Sequence, residues 1–226
     1  MREIPCRLRT SVDWLTLAPR VADRKPRRMS PTGDFVHSLV YVFIVNLVIS
    51  SMFNYCPSCA SKKIAFEEGK VFRCPGCGFV YYHNIAAATG CIISIPENEG
   101  ERLLFLVRGK EPAAGKLDLP GGFVDIGEGV VDGLYRELQE EIGWTPPQTP
   151  QMFASFSNVY EYKGIKYNTC DMYFSVSAPG LKIEDLHLEE AEVASAILLK
   201  PHEIDYAEFA FPSTVKAVKE YLSKYC

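Results

Sequence analysis

The sequence lacks an excess of positive charge. Its 24 Lys and Arg residues are outnumbered by 28 Asp and Glu residues, so the net charge is −4. This balance argues against non-specific binding of nucleic acid, which depends on basic groups that neutralise phosphates. The 226 residues, 47% of them hydrophobic, suffice for one domain with a proper core and a small additional module.

The first 51 residues differ in charge from the rest of the chain. They contain eight basic and four acidic residues, a net charge of +4, which leaves −8 for residues 52–226. This leader ends in an apolar run, interrupted by a few polar residues, over residues 35–53, and its length is just sufficient to span a bilayer. The basic cluster before the run resembles the positive flank of a signal anchor, so residues 35–53 are a candidate membrane anchor.

A second interpretation of the leader fits the downstream sequence better. An anchor of this kind would place everything after it outside the cytosol, whereas the cysteine pairs and carboxylates downstream are typical of intracellular chemistry. We therefore expect translation to begin at Met52 and residues 1–51 to be an extension with no role in the fold. This interpretation predicts a cytoplasmic protein, and a membrane-anchored protein is the alternative.

Four of the eight cysteines form two C-x2-C pairs separated by 14 residues. Each pair can present two thiolates to one ion, and four thiolates complete a closed, structural Zn²⁺ site. Short β-like runs on either side of a turn at residues 67–70 predict a zinc ribbon over residues 52–83. Two disulfides or four buried thiols are the alternatives. The predicted zinc ligands are Cys56, Cys59, Cys74 and Cys77.

Apolar, β-rich runs predict the strands of a sheet. Residues 86–95 and 103–108 form one pair, and residues 151–160 and 167–177 form a second pair around a Lys163-Gly164 turn. Residues 194–199 predict a further strand. We expect Cys91 and Cys170 to be core residues of these strands.

Two shorter segments have specific expected roles. Residues 213–224 predict a closing amphipathic helix with Ser213 as its N-cap. Tyr81, Tyr82 and His83 follow the second cysteine pair, and we expect them to pack the ribbon against the next domain. Stacking of these rings on a base is the alternative.

The centre of the sequence, residues 122–144, is a glycine-punctuated turn that leads into a helix. From Val130 to Ile142 the apolar residues recur every three or four positions, which predicts a helix. Glu137 and Glu141 lie along the edge of its apolar face one turn apart, and Glu140 lies a little further round. The apolar face contains Val130, Val131, Leu134, Leu138 and Ile142.

These glutamates indicate a metal site. Glu141 falls in the sector that faces the core, where an unpaired ionised carboxylate costs on the order of several kcal/mol. Acids three and four positions apart also repel one another on a helix. A divalent cation removes both penalties, and hard oxygen ligands facing a flexible glycine turn suit Mg²⁺ or Mn²⁺. A solvated acidic helix is the alternative.

The same stretch resembles the Nudix box, whose pattern is Gly, five residues, Glu, seven residues, Arg-Glu, an aliphatic residue, any residue, Glu-Glu, any residue, Gly and a hydrophobic residue. The resemblance implies a fold of the α/β class, a Nudix α/β/α sandwich with a mixed sheet over residues 84–226, preceded by the small β zinc ribbon. It also implies metal-dependent hydrolysis of a diphosphate linkage. The matching residues are Gly122, Glu128, Arg136, Glu137, Leu138, Glu140, Glu141, Gly143 and Trp144.

The resemblance assigns roles to these residues. It implies that Glu137 and Glu141 are the principal Mg²⁺ or Mn²⁺ ligands and that Glu140 assists them. Arg136 would orient Glu137, and Glu128 would brace the loop. The candidate catalytic residues are therefore Glu137, Arg136 and Glu128.

Further candidates lie outside the helix. A carboxylate from a late acidic stretch commonly joins the metal site in this family, and Glu192 is our first choice, with Glu190 second. The Pro-Gly-Gly turn lies beside the phosphates in Nudix proteins, which makes Gly121 and Gly122 candidate substrate-binding residues. Arg108 is a candidate partner of the diphosphate, with an exposed role at the end of a strand as the alternative.

A zinc ribbon followed by a Nudix domain resembles the NADH pyrophosphatase branch of the family. That branch carries a Ser-Gln-Pro-Trp-Pro-Phe-Pro run shortly after the box, which residues 153–160 of this chain lack. The expected substrate is thus a small nucleoside diphosphate derivative such as NADH, NAD or ADP-ribose. We expect no stable nucleic-acid partner and allow for a homodimer. The alternative function is a zinc-ribbon regulator that binds nucleic acid or senses a ligand through a Nudix fold.

Overall fold

The computed structural model describes residues 53–98 and 100–225. The expected leader, residues 1–51, and the proposed start at Met52 lie outside these described residues. Within the described ranges, no helix combines the length and the apolar character needed to cross a membrane.

The described residues form a small sheet followed by a larger sheet with two helices. The small sheet contains β1 (Ala65–Glu67), β2 (Val71–Arg73) and β3 (Val80–Tyr82). The larger sheet contains β4 (Ala86–Glu97), β5 (Gly100–Arg108), β6 (Leu117–Asp118), β7 (Gln151–Tyr162), β8 (Ile165–Ser177) and β9 (Val193–Leu199). Helix α1 (Val130–Ile142) follows β6, and helix α2 (Pro212–Tyr225) follows β9. Short 3₁₀ turns are found at Ile183–Asp185, Pro201–Glu203 and Tyr206–Glu208.

The larger sheet is mixed, as predicted. Its strand order is β6-β5-β4-β8-β7, and β9 pairs with β5. Strands β4 and β8 are parallel, with residues 86–94 beside residues 169–177. The other pairs are antiparallel, including the predicted β4–β5 and β7–β8 hairpins.

Strand β4 is buried on both faces, and this arrangement produces the layers. Neighbouring residues of a strand point to opposite faces, and Ile92 and Ile93 are both fully buried. Ile93 belongs to a core with Leu134 and Leu138 of α1, whereas Ile92 belongs to a second core with Val218 of α2. The sheet therefore lies between the two helices, which confirms the predicted α/β/α sandwich.

Helix α1 has the predicted bounds. Leu134, Leu138 and Ile142 are fully buried, and the helix ends at Gly143 in the left-handed region, with a φ of 60°. Val131 was predicted on the same face but is 38% exposed. Val131 belongs to the first turn of the helix, and the buried residues of the helix begin only at Gly133.

Helix α2 begins one residue earlier than predicted, so Ser213 is not its N-cap. Pro212 is the first helical residue, where its fixed φ is favourable and its missing N–H has no intrahelical partner to lose. Ser213 is buried, and its hydroxyl donates to Asp171 Oδ2 at 2.7 Å. The side chain thus joins the helix to β8.

The ribbon is a three-stranded antiparallel sheet. Strands β1 and β2 form the predicted hairpin around residues 67–70, and β3 adds a third strand that we did not predict. Tyr81 contacts the rings of Phe53 and Phe72, and His83 contacts Phe66. These ring contacts lie within the ribbon and not with the next domain, because the short strand β3 holds the rings beside other aromatic residues of the ribbon.

Candidate active site

The Pro-Gly-Gly turn is held against the start of β4 by main-chain hydrogen bonds. Cys91 N donates to Pro120 O at 2.9 Å, and Thr89 N donates to Gly122 O at 2.8 Å. Gly121 has a φ of 140°, and a Cβ there would lie 2.3 Å from Thr89 O. Only glycine permits this approach of the two backbones. The turn therefore has a fixed position in front of α1.

Glu141 is attached to this turn. Its carboxylate accepts a hydrogen bond from Gly121 N at 2.8 Å. The pKa of Glu141 is raised to about 8, chiefly by burial; the Gly121 hydrogen bond lowers it, and the nearby carboxylates Glu137, Asp118 and Glu192 contribute to the increase. Glu141 is partly buried, in line with its predicted position at the edge of the apolar face, and its ionised form lacks a compensating cation among these partners.

Glu137 lies against the second glycine of the turn. A Cβ on Gly122 would lie 2.6 Å from the Glu137 carboxylate. Burial raises the pKa of Glu137 even though Arg136 lowers it, and Glu140 and Glu192 add to the increase. The turn and two carboxylates of α1 are thus in direct contact.

Arg136 connects the helix to the loop that precedes it. Its Nη1 donates to Glu137 Oε1 and to Glu140 Oε2, both at 2.8 Å, and its Nη2 donates to Phe123 O at 2.9 Å. Its Nε donates to Glu128 Oε1 at 2.7 Å. These contacts fit the roles expected from the box, with Arg136 beside Glu137 and Glu128 in the loop.

Glu128 is held from two sides. It also accepts a hydrogen bond from Asp125 N at 3.0 Å. The hydrogen bond from Arg136 is the largest of the effects that lower the pKa of Glu128. An ionised Glu128 can therefore fix both the loop backbone and the guanidinium of Arg136.

A cleft of about 440 Å³ opens in front of the glutamates. Glu192 lines it, whereas Glu190 is exposed and is not among the lining residues. Glu189 also lines the cleft, and its backbone N–H donates to Glu141 O at 3.0 Å. We did not predict Glu189, although its place in the acidic stretch was a signal. The acidic lining residues are Asp125, Glu137, Glu140, Glu141, Glu189 and Glu192.

The donor set of this cleft fits a hard divalent cation. Carboxylate oxygens are the ligands that Mg²⁺ and Mn²⁺ prefer, and Mg²⁺ in particular keeps waters and shares positions with substrate phosphates. The raised pKa values of Glu137 and Glu141 show that two of the carboxylates are costly to ionise as they stand. Glu137, Glu140, Glu141 and Glu192 are the side chains that could hold the cation.

Arg108 lines the cleft, but two of its nitrogens donate to other residues of the protein. Its Nη1 donates to Asp118 Oδ2 at 3.2 Å, and its Nε donates to Pro112 O at 2.9 Å. The guanidinium also lies 5.1 Å from the centre of the Phe211 ring. In this structure Arg108 therefore contacts other residues of the protein, and its role in binding a diphosphate stays a prediction.

Two further clefts adjoin the carboxylates, and sequence reasoning did not find them. A wide, largely apolar cleft of about 850 Å³ is lined by aromatic rings, among them Phe123, Tyr160, Tyr162 and Tyr167. A smaller pocket of about 90 Å³ is lined in part by Gly121 and Gly122 of the turn. Phe123 and Tyr160 line all three spaces, and their ring centres are 5.4 Å apart.

The four paired cysteines converge in the ribbon. Their sulfur atoms all lie within 4.8 Å of one another, and the Cys56–Cys77 and Cys59–Cys74 pairs are 3.7 Å apart. Tetrahedral zinc with Zn–S bonds of about 2.3 Å requires sulfurs about 3.8 Å apart. Hydrogen bonds from the backbone of Cys77 and Gly76 lower the pKa of the Cys74 thiol to about 7. The cluster could therefore hold a metal ion such as zinc.

Comparisons with known proteins agree on the type of domain. A family model described as NUDIX domain matches residues 86–220. The NAD-capped RNA hydrolase NudC of Pseudomonas aeruginosa is 26% identical over 126 residues, which are 55% of this chain and 44% of that protein. The ADP-ribose pyrophosphatase of Methanocaldococcus jannaschii is 36% identical over 67 residues, which are 30% of this chain and 37% of that protein.

A solved structure shows the same fold. A NUDIX hydrolase from Nitrosomonas europaea superimposes with a TM-score of 0.55 at 26% identity, and the match covers 76% of this chain and 92% of that chain. The match to the NudC relative spans less than half of that protein's length.

Proposed function

Because the chain belongs to the NUDIX domain family and is a Nudix hydrolase, we propose that it hydrolyses the diphosphate linkage of a small nucleoside diphosphate derivative, such as NADH, NAD or ADP-ribose, with Mg²⁺ or Mn²⁺. The family match covers residues 86–220, which include the helix, the turn and the acidic cleft. The cytoplasmic location and the homodimer stay predictions.

The contact between Glu141 and the Pro-Gly-Gly turn is the observation that carries this proposal. The glycine turn and helix α1 meet 20 residues apart in sequence, so that two partly buried carboxylates, Glu137 and Glu141, and two glycines face one cleft. An ordinary acidic surface would leave these acids solvated and apart. Carboxylates that converge beside a glycine turn, two of them partly buried, instead support a site for a cation and a phosphate.

The proposed roles follow from the contacts. When bound at Glu137, Glu140, Glu141 and Glu192, the divalent cation would neutralise phosphate oxygens and lower the pKa of a bound water. Arg136 positions the Glu137 and Glu140 carboxylates through the two bonds of its Nη1. Glu128 holds Arg136 and the loop backbone, so that the carboxylates keep their place when the charge of the substrate enters.

The wide aromatic cleft supports a substrate with a planar ring next to its diphosphate. The cleft shares Phe123, Tyr160 and Lys110 with the acidic cleft, so that a ring bound there lies next to the carboxylates. Aromatic rings stack readily on a base or on a nicotinamide. The relatives named NAD-capped RNA hydrolase and ADP-ribose pyrophosphatase support the same class of substrate.

We propose a structural role for zinc in the ribbon. The four sulfurs form one closed group, and the ribbon has few other buried residues, chiefly Val71 and Phe72. A module of this size depends on its metal for folding. Cys56, Cys59, Cys74 and Cys77 would thus stabilise the ribbon without taking part in the hydrolysis.

A hydrolysis assay over a substrate panel tests the proposed function. The purified protein is incubated with NADH, NAD, ADP-ribose, dinucleoside polyphosphates and nucleoside triphosphates, with Mg²⁺, with Mn²⁺ or with a chelator, and a phosphatase converts the products to free phosphate. We expect turnover of at least one compound with an internal diphosphate and none with the chelator. Turnover of nucleoside triphosphates alone, or of no compound, would contradict the proposal.

The ribbon surface supports a second candidate, a protein that also binds single-stranded nucleic acid. Tyr55 and Tyr82 are 52% and 57% exposed, and Lys62 lies over the Tyr55 ring at 5.6 Å. Exposed rings beside lysine suit the stacking of unpaired bases. Fluorescence anisotropy with a short labelled RNA tests this candidate, since Tyr82→Ala should weaken binding while hydrolysis of the small substrate stays at the wild-type rate.

A further inference from the structure

The acidic cleft contains only a small amount of positive charge. Six acidic side chains line it, whereas the cationic side chains among the described lining residues are Arg108 and Lys110. Arg108 donates to Asp118 and to Pro112 O, and its guanidinium lies over the Phe211 ring, so these contacts hold it against the protein. Lys110 is therefore the cation best placed to meet a substrate that enters the cleft.

Lys110 already has a partner, and that partner is a candidate metal ligand. Its Nζ forms an ion pair with Glu192 Oε1. The backbone supports the pair, because Gly109 N donates to Glu192 O at 2.7 Å and fixes the two segments side by side. The side chains of Lys110 and Glu192 are 46% and 40% exposed. An ion pair with this much exposure contributes little to stability, so its partners can be exchanged at low cost.

The position of Lys110 matches the path of the proposed substrate. Lys110 lines the acidic cleft and also the wide aromatic cleft, and Phe123 and Tyr160 are the other residues common to both. A nucleoside diphosphate with its ring in the aromatic cleft and its diphosphate before the glutamates would pass the Lys110 ammonium. Phosphate oxygens are strong partners for an ammonium group.

We propose that Lys110 is a substrate-binding residue that exchanges Glu192 for a phosphate oxygen of the nucleoside diphosphate, while Glu192 exchanges Lys110 for the divalent cation. The exchange leaves each charged group with a partner of opposite sign both before and after the ligands bind. It rests on the proposed hydrolase function and adds a residue to it. Before binding, the pair holds Glu192 near the cleft and limits repulsion among the acids.

The exchange predicts opposite effects on two ligands when the charge of Lys110 is removed. Lys110→Met should bind Mn²⁺ at least as tightly as the wild type, because Glu192 no longer has to leave an ammonium and a positive charge near the cation is gone. The same variant should bind a methylene-bridged, non-hydrolysable nucleoside diphosphate about tenfold more weakly or worse in the presence of Mn²⁺. Lys110→Arg keeps the charge and should recover most of the binding of the analogue.

The experiment uses isothermal titration calorimetry on the full chain, first with Mn²⁺ and then with the analogue, alongside kcat and KM. Lys116→Met is the matched control, since Lys116 also pairs with a glutamate, Glu208, at a similarly exposed position outside the acidic cleft. It should behave as the wild type with both ligands. The unfolding temperature of each variant shows whether the fold is retained.

The outcomes separate the inference from the proposed function. Wild-type affinity of Lys110→Met for the analogue overturns the exchange. If this variant also binds Mn²⁺ more weakly than the wild type, Lys110 is instead a positioning residue for Glu192. A wild-type protein that hydrolyses no member of the substrate panel overturns the proposed function itself. Weaker binding of the analogue without weaker binding of Mn²⁺ supports the exchange.

Discussion

The cysteine cluster and the glutamate cleft are both groups of metal-ligand side chains, but they are constructed in opposite ways. The four cysteines come from two tight turns of one small sheet, and their sulfurs lie within 4.8 Å of one another. The glutamates come from one helix and from a segment about 50 residues later, and they line an open cleft of about 440 Å³. The first group is closed, and the second leaves room for a substrate.

The two sites also differ in what holds their ligands in place. The ribbon has few buried residues besides Cys56 and Cys74, so its fold depends on whatever joins the sulfurs. The glutamates of α1 are held by Arg136, by the glycine turn and by the packing of their helix on a large core. Loss of one cysteine ligand should therefore unfold the ribbon, whereas loss of one glutamate should lower the rate of hydrolysis and leave the fold intact.

The largest expected effect is on the cysteine site. Cys74→Ser removes one of four ligands from a site whose zinc affinity in comparable small modules corresponds to about 10 to 16 kcal/mol. We expect loss of zinc, measured by elemental analysis, and rapid proteolysis of the ribbon, while the glutamate site keeps its chemistry. Cys170→Ser in β8 is the control. Purified protein without zinc that tolerates serine at all four positions would show that the ribbon does not need a metal.

The next effect is on catalysis. Glu137→Gln keeps size and helix propensity but removes a charge, so we expect kcat to fall by about 10² to 10³ or more, roughly 3 to 4 kcal/mol, with the fold retained. Glu141→Gln should behave alike, and Mg²⁺ should raise its unfolding temperature less than that of the wild type. The exposed Glu184→Gln serves as the control. Wild-type kcat in both variants would make α1 an ordinary acidic helix.

A smaller effect is expected from a Gly→Ala substitution, which can be compared at the two sites. A Cβ on Gly122 would lie 2.6 Å from the Glu137 carboxylate, so Gly122→Ala should cost roughly 1 to 3 kcal/mol and displace Glu137. Gly76→Ala beside Cys74 meets only ordinary contacts, the nearest at 3.6 Å. Thermal unfolding and kcat measure both. Equal tolerance at the two positions would mean that the turn moves easily away from the helix.

Over a single pH unit, the smallest effect is the pH dependence of the stability of the metal-free protein. The pKa of Glu141 is raised to about 8 from 4.5, so the native state holds a proton that the unfolded chain releases at lower pH. Stability with a chelator should therefore fall as pH rises between these values, by at most about 1.4 kcal/mol per pH unit from this group. Glu141→Gln should reduce this slope. Urea unfolding at several pH values measures it, and an unchanged slope would assign it to other groups.

Local patterns predicted much of this structure. Helix α1 was predicted to the residue, because its apolar period is flanked by glycines on both sides. Strands β7 and β8 extend beyond their predicted ends to Tyr162 and Ile165, since cross-strand pairing continues up to the tight Lys163-Gly164 turn.

The unpredicted contacts join residues that are distant in sequence. The Lys110–Glu192 pair and the Glu189–Glu141 hydrogen bond depend on β9 lying beside β5, and no local pattern gives that strand order. The aromatic cleft likewise combines Phe123 from the loop with rings from the β7–β8 hairpin. Sequence reasoning identified the acids but not the neighbours that the sheet brings to them.

The hydrogen bonds between the Pro-Gly-Gly turn and β4 have a consequence for motion. Thr89 N and Cys91 N are bonded to the turn, and β4 is the strand that both cores bury. Amides of such a strand exchange with solvent only when the domain unfolds as a whole. In a hydrogen-exchange experiment, Thr89 and Cys91 should therefore be among the slowest amides, which would make this turn a rigid wall of the cleft and not a lid that opens for each substrate.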